Sequence, residues 1–321
     1  MVFIEIMLAA AALAFIAVAG FLYLAPETAT RWAIDSERRR AGLVRKEIVL
    51  PGNLKFVYLE GGQGEPLMLL HGFGANKDNF SRVAAQLTPR YRVIVPDLIG
   101  FGESAHPQDA DYAPKAQAER LRAFSHALGV STLDLGGSSM GGHIALTYAA
   151  MYPAEVKSLW LLDPGGVWSA PSSEVHQMIL KDGTNLLMAR SEADFARTFE
   201  IVMSDPPFIP RPMLNIMARE RIQNFALEER IFQQLVRDSV EERSTRVAAP
   251  ALIVWGDQDR VLDMGGAAIL HKLMPQSTVV IMPGVGHLPM LERPKTSGQD
   301  YLRFRASVSS SGGNSIQSKP R

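Results

Sequence analysis

Short apolar runs alternate with longer amphipathic stretches over most of this chain of 321 residues. Such alternation is typical of βαβ units, in which helices join parallel strands and cover both faces of the sheet. Two stretches, AQAERLRAFSHAL and GHIALTYAAMY, predict connecting helices. Seven runs predict strands: KFVYLE from Lys55, PLMLLH from Pro66, YRVIVPD from Tyr91, STLDLG from Ser131, VKSLWLLD from Val156, ALIVWGD from Ala251 and TVVIMP from Thr278. The pattern therefore predicts an α/β fold with a mostly parallel sheet.

One interval interrupts this spacing. The chain between Asp163 and Ala251 is much longer than the roughly dozen residues that a crossover connection requires. Residues 170–247 therefore predict a helical cap, inserted before the penultimate strand. Its apolar faces, part of which would line a pocket, carry Met178, Leu186, Leu187, Met188, Phe195, Phe199, Met203, Phe208, Met213 and Met217. The rest divides into an α/β core and a Ser- and Gly-rich tail that we expect to be disordered: 47–169 with 248–305, and 306–321.

The N-terminus carries an uncharged apolar stretch. Residues 6–24, IMLAAAALAFIAVAGFLYL, have the ~20-residue length that a helix needs to cross a bilayer. Residues 1–30 are therefore predicted to form a single-pass transmembrane anchor, which makes a membrane one expected partner. A cleaved signal peptide is the alternative, because Ala17-Val18-Ala19 resembles a cleavage site. The region before that site, however, contains Glu5 and no Lys or Arg.

A basic juxtamembrane segment, residues 31–46, follows the apolar stretch. Its cations are Arg31, Arg38, Arg39, Arg40, Arg45 and Lys46. By the positive-inside rule they predict a cytoplasmic catalytic domain on a bacterial inner membrane. The same charges could instead contact anionic headgroups on either face, so a periplasmic domain stays open. Ala10, Ala14 and Ala17 share one helical face, which would allow two anchors to pair as a homodimer.

Composition excludes several classes of function. Lys plus Arg and Asp plus Glu each number 33, so the formal charge is zero and no overall basic field would attract nucleic acid. The absence of cysteine excludes disulfides, zinc thiolate sites, iron–sulfur clusters and a cysteine nucleophile. The groups that carry chemistry must therefore be other residue types.

The stretch LDLGGSSMGGHIAL, residues 133–146, lies between a predicted strand and a predicted helix. It lacks both the Gly-x-Gly-x-x-Gly order and the P-loop lysine, so a phosphate site is not expected. It does contain Gly-x-Ser-x-Gly over residues 137–141, the pattern of a tight turn that presents a serine nucleophile. The glycines let strand and helix approach each other. Ser139, the central residue, is the predicted nucleophile.

A serine hydroxyl needs a base, and the base needs an acid that orients it. His287 is the predicted base, because it alone among seven histidines follows a terminal strand in a glycine-rich loop, MPGVGHLPMLERP. Asp259, in WGDQDRVLD after the penultimate strand, is the favoured acid, and Asp263 and Asp163 are alternatives. His71 is expected to shape its own loop. The remaining histidines are interpreted as ordinary surface or core residues: His106, His126, His143, His176 and His271.

An oxyanion hole completes this constellation. The backbone amide of Met140, directly after the nucleophile, and that of Phe73, in HGFG after the strand from Pro66, are the candidate donors. The chain order Ser139, Asp259, His287 is the order found in hydrolases built on an α/β sheet.

These motifs carry a family resemblance. The segments LEGGQGEPLMLLHGFGANKDNF, VPDLIGFGESAHP and GHLPMLERP, together with the Ser139 turn, resemble the α/β-hydrolase superfamily over residues 50–305. With the N-terminal span, the stretches GGSSMGGHIALTYAAMYP and WGDQDRVLDMGGAAIL are similar to membrane-anchored monoacylglycerol lipases and related bacterial lipases and phospholipases A. The resemblance implies an α/β-hydrolase fold, the roles assigned above, and no metal or organic cofactor.

We therefore expect a membrane-anchored serine ester hydrolase that acts on acyl glycerols or phospholipids through an acyl-enzyme. A serine at the turn excludes the dehalogenases and epoxide hydrolases of the superfamily, because those use an aspartate there. Two alternatives stay open: a serine-triad hydrolase of small esters or carbon–carbon bonds, and a noncatalytic membrane-tethered binding protein on the same scaffold.

Overall fold

The computed structural model describes residues 2–313. Met1 and residues 314–321 lie outside the described residues, and so do the side chains of residues 14, 15 and 311–313. The face of Ala10, Ala14 and Ala17 that was predicted to pair in a homodimer therefore lies partly outside the described residues, because it includes the side chain of Ala14.

Among the described residues, eight strands form one sheet in the order β1-β2-β4-β3-β5-β6-β7-β8. Their bounds are β1 (Val44–Leu50), β2 (Leu54–Gly61), β3 (Glu65–Leu70), β4 (Tyr91–Pro96), β5 (Leu133–Ser138), β6 (Val156–Leu162), β7 (Ala251–Gly256) and β8 (Thr278–Met282). The β1–β2 and β2–β4 pairs are antiparallel, and all the others are parallel. The predicted mostly parallel α/β sheet is confirmed, and each of the seven predicted strands is present.

The described residues also form helices, several of which cover the two faces of this sheet. They are α1 (Val2–Leu24), α2 (Pro26–Arg40), α3 (Ser81–Leu87), α4 (Pro114–Ala127), α5 (Met140–Met151), α6 (Glu174–Asp182), α7 (Glu192–Ile201), α8 (Arg211–Gln223), α9 (Phe225–Val236), α10 (Glu241–Ser244), α11 (Gly265–Leu273), α12 (Pro289–Glu292) and α13 (Pro294–Gly313). One apolar cluster packs the sheet against α4 and α5, and a second packs it against α3 and α13. Every residue of β5 and β7 is buried, as expected for parallel strands with both faces covered.

The first strand was not predicted. β1 has the sequence VRKEIVL, whose charged residues hide the apolar pattern of a strand. It is an edge strand that pairs only with β2, and charged side chains are common on edge strands because they oppose pairing with other chains. Residues 44–46 of the predicted juxtamembrane segment therefore belong to the sheet. There Arg45 pairs with Glu103 and Lys46 with Glu60, each at 2.7 Å.

The C-terminal helix also differs from the prediction. α13 continues to Gly313, so the disordered tail predicted for residues 306–321 is wrong for 306–313. The helix is fixed by Tyr301 and Phe304, which are buried in the second apolar cluster, and Val308 packs against the same cluster. Tertiary packing thus extends a helix into a segment whose composition does not favour one.

The two N-terminal helices differ in their surroundings. α1 is long and apolar enough to cross a membrane, and none of its most apolar stretch is buried against the rest of the protein. α2 follows directly and packs against α8 and α3. An ion pair between Glu27 of α2 and Arg219 of α8 joins the first of these helix pairs.

Five helices, α6 to α10, lie between β6 and β7. This confirms the helical insertion before the penultimate strand. The insertion places α7, α8 and α9 beside the C-terminal ends of the strands, where α/β proteins bind their ligands.

Candidate active site

Ser139 occupies a strained turn between β5 and α5. Its backbone angles are φ 54° and ψ −117°, a region that residues other than glycine rarely adopt. Its N–H donates to the carbonyl of Leu162 at 3.0 Å, and its own carbonyl accepts the N–H groups of His143 at 3.0 Å and Gly165 at 2.9 Å. These three bonds hold the turn in place.

The flanking glycines are steric requirements of this turn. A Cβ at Gly137 would lie 2.3 Å from the carbonyl carbon of Gly141, and a Cβ at Gly141 would lie 2.1 Å from the carbonyl oxygen of Leu70. Both contacts are with backbone atoms, which cannot move aside. The sequence interpretation of these glycines therefore has a direct geometric cause.

His287 and Asp259 form a buried pair. Nδ1 of His287 lies 2.7 Å from Oδ2 of Asp259, and the two side chains are 5% and 0% exposed. Oδ1 of Asp259 accepts the N–H groups of Val261 at 2.7 Å and Leu262 at 3.0 Å. When Nδ1 carries the proton that bonds Asp259, Nε2 is left as the basic atom. This is the geometry that a serine hydrolase requires of its base and acid.

Ser139 and His287 line the same cavity, which has a volume of about 530 Å³. Gly72 and Phe73 also line it, and a Cβ at Gly72 would lie 3.3 Å from Cβ of Ser139. The loop after β3 is therefore in contact with the Ser139 turn. The candidate nucleophile, the candidate base and one of the two oxyanion candidates therefore surround one space.

The oxyanion candidates lie on two different elements. Met140 is the first residue of α5, where a helix leaves its backbone N–H without an intrahelical partner. Phe73 is positioned by ring contacts with Phe101 at 5.8 Å and Phe232 at 5.4 Å between centroids. His71 stabilises this loop, because its Nε2 accepts the Leu98 N–H at 3.0 Å. Burial lowers the pKa of His71, which suits this neutral structural role.

Much of the cavity wall comes from the inserted helices. Seven of the ten apolar residues singled out in the insertion line it: Leu187, Phe195, Phe199, Met203, Phe208, Met213 and Met217. The other three, Met178, Leu186 and Met188, do not. The wall also includes Ala33 and Ile34 of α2, which the sequence did not indicate. Their signal was weak, because α2 is rich in charged residues.

The sequence analysis also did not identify a group of charged residues at the cavity wall. Arg221 and Glu228 form an ion pair at 2.7 Å with side chains 7% and 4% exposed, and the Arg221 guanidinium lies 5.6 Å from the Phe73 ring centroid. Glu220 lines the cavity beside them, and burial, aided by the charges of Asp97 and Glu228, raises the pKa of Glu220 to about 7. These residues lie in a predicted helical region, but nothing in the local pattern indicated that they face inward.

The two alternative acids occupy different positions. Oδ1 of Asp263 accepts the Gly265 N–H at 2.8 Å, which is a local turn contact before α11. Asp163 is buried beside the pair of His287 and Asp259: one carboxylate oxygen each of Asp163 and Asp259 and one ring nitrogen of His287 all lie within 4.8 Å of one another. Such groups can also bind a metal, but here Nδ1 of His287 and Oδ2 of Asp259 lie 2.7 Å apart, at hydrogen-bond distance.

His143, on α5, is a further buried histidine near Ser139. Its Nε2 lies 2.6 Å from Oδ1 of Asp238, and burial lowers its pKa to about 3. It joins α5 to the chain that follows α9 and does not line the cavity. This agrees with the expected structural role.

The fold and this site define a hydrolase class, and the comparison with known proteins agrees. Residues 65–294 match the family model of the α/β hydrolase fold, so the chain belongs to the α/β hydrolase family. Lipase 1 of Psychrobacter immobilis is 42% identical over 86% of this chain and 89% of its own length. A monoacylglycerol lipase of Xenopus laevis is 31% identical over 82% of each chain.

A solved structure is also similar. The crystal structure of a membrane phospholipase A, described as a bacterial virulence factor, has a TM-score of 0.86 and 40% sequence identity. It covers 95% of this chain, and 99% of that structure is matched. Together these relatives support an ester hydrolase of the lipase type.

Proposed function

We propose that this chain is a membrane-anchored serine carboxylic-ester hydrolase of the lipase, monoacylglycerol lipase or phospholipase A type. The observation that carries the proposal is the convergence of Ser139, on its strained turn, and the His287–Asp259 pair on one cavity. The names of the relatives supply the substrate class, an acyl ester of a lipid.

The proposed reaction uses each of these groups in a separate role. Nε2 of His287 takes the proton of the Ser139 hydroxyl as its Oγ attacks the ester carbonyl. The N–H groups of Phe73 and Met140 stabilise the oxyanion. His287 then gives the proton to the departing alcohol, which leaves an acyl group on Ser139. A water activated by His287 releases the fatty acid and restores the serine.

The apolar wall of the cavity favours a lipid substrate. Phenylalanine and methionine side chains of the insertion form much of its wall, and this apolar surface suits an acyl chain.

The N-terminal helices favour attachment to a membrane. α1 has the length and composition of a membrane span, and α2, which follows it, contributes to the same cavity wall. An enzyme held in this way would stay close to lipid substrates.

The first test is fatty-acid release by the full-length protein in detergent. A monoacylglycerol and a diacyl phospholipid are offered side by side, with Ser139→Ala as the control. Release that depends on Ser139 supports a lipid esterase, and the ratio of the two rates selects the substrate class. Labelling of Ser139 by a fluorophosphonate without lipid hydrolysis would instead indicate small esters or carbon–carbon bonds. If the protein shows no labelling and releases no fatty acid, the result would support a noncatalytic binding protein.

The anchor is tested separately. Full-length protein should stay with the membrane fraction after carbonate extraction, whereas a peripheral protein would be released. N-terminal sequencing of the mature chain distinguishes a retained anchor from cleavage after Ala19. A mature chain that begins at residue 20 would contradict the anchor without affecting the hydrolase proposal.

A further inference from the structure

Asp163 is a buried carboxyl group that the reaction above does not use. It directly follows β6, which is the parallel neighbour of β7, so residues just past the ends of these two strands meet. Its side chain is 0% exposed. Oδ1 accepts the Gly256 N–H at 2.9 Å, whereas the buried Oδ2 has no N–H or O–H donor among the described residues.

The Asp163 side chain lies next to another carboxylate. Asp163 and Asp259 approach each other closely enough that their oxygens and a ring nitrogen of His287 lie within 4.8 Å. Two buried carboxyl groups at this separation cannot both be ionised at moderate cost. A proton on one of them would remove this repulsion, as in pairs of carboxyl groups that share one proton.

The hydrogen bonds decide which group is charged. Asp259 accepts three donors: the ring N–H of His287 and the backbone N–H groups of Val261 and Leu262. Asp163 accepts one, from Gly256. Hydrogen bonds to the ionised form favour it, so the negative charge belongs on Asp259. Burial and the nearby charge of Asp259 raise the pKa of Asp163 well above its ordinary range.

We propose that Asp163 is a positioning residue that stays neutral and donates a hydrogen bond from its protonated Oδ2 to the carboxylate of Asp259. Asp259 would then be fixed on every side, by two backbone amides, by His287 and by Asp163. The proposal rests on the proposed function, because it assigns Asp163 to the support of that triad. It differs from the alternative in which Asp163 is itself the acid that pairs with the base.

The same loop also supports the nucleophile. Asp163 adopts a positive φ of 45°, and two residues later the Gly165 N–H donates to the carbonyl of Ser139 at 2.9 Å. Asp163 itself is joined to β7 through its backbone N–H, which donates to Val254 at 2.9 Å. This short segment therefore contacts both the Ser139 turn and the strand that leads to Asp259. A donor placed here can hold the acid in register with the serine.

The proposal predicts a defined chemical effect. A hydrogen bond from Asp163 draws part of the charge of Asp259 away from the imidazole, so a lone Asp259 would stabilise the protonated base more strongly. Loss of the donor should therefore move the acidic limb of the profile of kcat/KM against pH to higher pH. It should also lower kcat/KM, because Asp259 loses one of the contacts that orient it.

The test compares Asp163→Asn and Asp163→Leu with wild type, in the full-length protein and on a soluble chromogenic ester. Rates are expressed per site labelled by fluorophosphonate, which corrects for unfolded protein. Asparagine can donate an N–H to Asp259 and accept the Gly256 N–H, so Asp163→Asn should stay within roughly threefold of wild type. Asp163→Leu should lose roughly 10- to 100-fold, the ratio expected for one hydrogen bond to a charged group, and shift the acidic limb upward.

Two kinetic outcomes would overturn the proposal. If Asp163→Asn is as impaired as Asp259→Asn, Asp163 acts as an anion and not as a donor. If Asp163→Leu labels fully and keeps both its rate and its pH profile, the contact has no part in the reaction.

Infrared spectroscopy provides a readout that does not need turnover. The difference spectrum between wild type and Asp163→Asn should contain the C=O stretch of a protonated carboxylic acid. A difference spectrum with carboxylate bands only would overturn the proposal even if Asp163→Leu fails to fold. A protonated-acid band in a protein that hydrolyses no ester would support the assignment of the proton while contradicting the proposed function.

Discussion

Arg221 and Glu228 form an ion pair across the turn between α8 and α9, with Nη2 and Oε2 2.7 Å apart and both side chains almost fully buried. Arg221 also donates to the carbonyl of Leu187 at 2.6 Å. Its guanidinium lies above the Phe73 ring, so the ion pair joins α8 and α9 to the chain around Leu187 and to the loop after β3. The insertion is thereby connected to one of the oxyanion candidates.

Breaking this pair from one side should be costly. Arg221→Met leaves Glu228 as a buried charge without its partner, and we expect a loss of about 3–5 kcal/mol in the free energy of unfolding. The double variant Arg221→Met with Glu228→Leu should recover most of that loss, because no charge is left buried. Urea denaturation of the three proteins measures both values. Equal stability of the single and double variants would show that the cost lies in packing and not in charge.

Asp259→Asn should remove most activity while the fold remains. The amide can present a donor to Nδ1 of His287, which favours the tautomer with the proton on Nε2, where it cannot accept the serine proton. We expect kcat to fall by roughly 10³- to 10⁴-fold. Asp263→Asn is the control, since among the described residues the hydrogen bond that its carboxylate accepts comes from the Gly265 N–H in a local turn. A severe loss in Asp263→Asn with normal activity in Asp259→Asn would mean that the acid is misassigned.

Gly141→Ala should damage the Ser139 turn. The new Cβ would meet the carbonyl oxygen of Leu70 at 2.1 Å, and the backbone would have to shift. We expect a destabilisation of about 1–3 kcal/mol and slower labelling by a fluorophosphonate. Gly165→Ala is a matched control, because a Cβ there meets its nearest atom, the carbonyl oxygen of Ser139, at an ordinary 3.5 Å. If both variants behave alike, steric crowding at the turn is not the cause.

Glu220 should make stability fall as the pH rises. Burial raises the pKa of Glu220 to about 7 from an ordinary value of 4.5, so the folded protein binds the proton more tightly than the unfolded chain does. The resulting stabilisation is fully present below pH 4.5 and is lost as the pH rises through about 7.

Glu220→Gln should remove this dependence. Its Tm should fall less than that of wild type between about pH 5 and about pH 8. Glu229→Gln serves as the control, because Glu229 lies on the neighbouring helix with a side chain 56% exposed. A wild type and a Glu220→Gln variant with parallel curves of Tm against pH would contradict the prediction.

The sequence was most informative where local chemistry leaves few options. Every residue of β5 and β7 is buried because helices cover both faces of the sheet, and the run of β7, ALIVWG, is apolar throughout and stands out from the rest of the chain. The Ser139 turn was found because Gly137 and Gly141 are sterically obligatory there. Ser139 has a positive φ, which is the strained backbone expected for a turn of this sequence pattern.

Features that depend on long-range packing could not be found in this way. β1 has a charged sequence, and only its pairing with β2 makes it a strand. The end of α13 is helical because Tyr301 and Phe304 fix the helix that precedes it. The pair of Asp163 and Asp259 depends on the adjacency of β6 and β7, which the parallel fold allowed but did not require.

The position of α2 has a practical consequence for work on this protein. A soluble fragment that begins at residue 41 would omit the whole of α2, and with it the cavity-lining residues Ala33 and Ile34. Such a fragment would have a wider, wetter pocket than the intact protein. Its preference among acyl chains would then describe the truncation rather than the natural enzyme. A fragment that begins at Pro26 removes the apolar helix and keeps that side of the pocket closed.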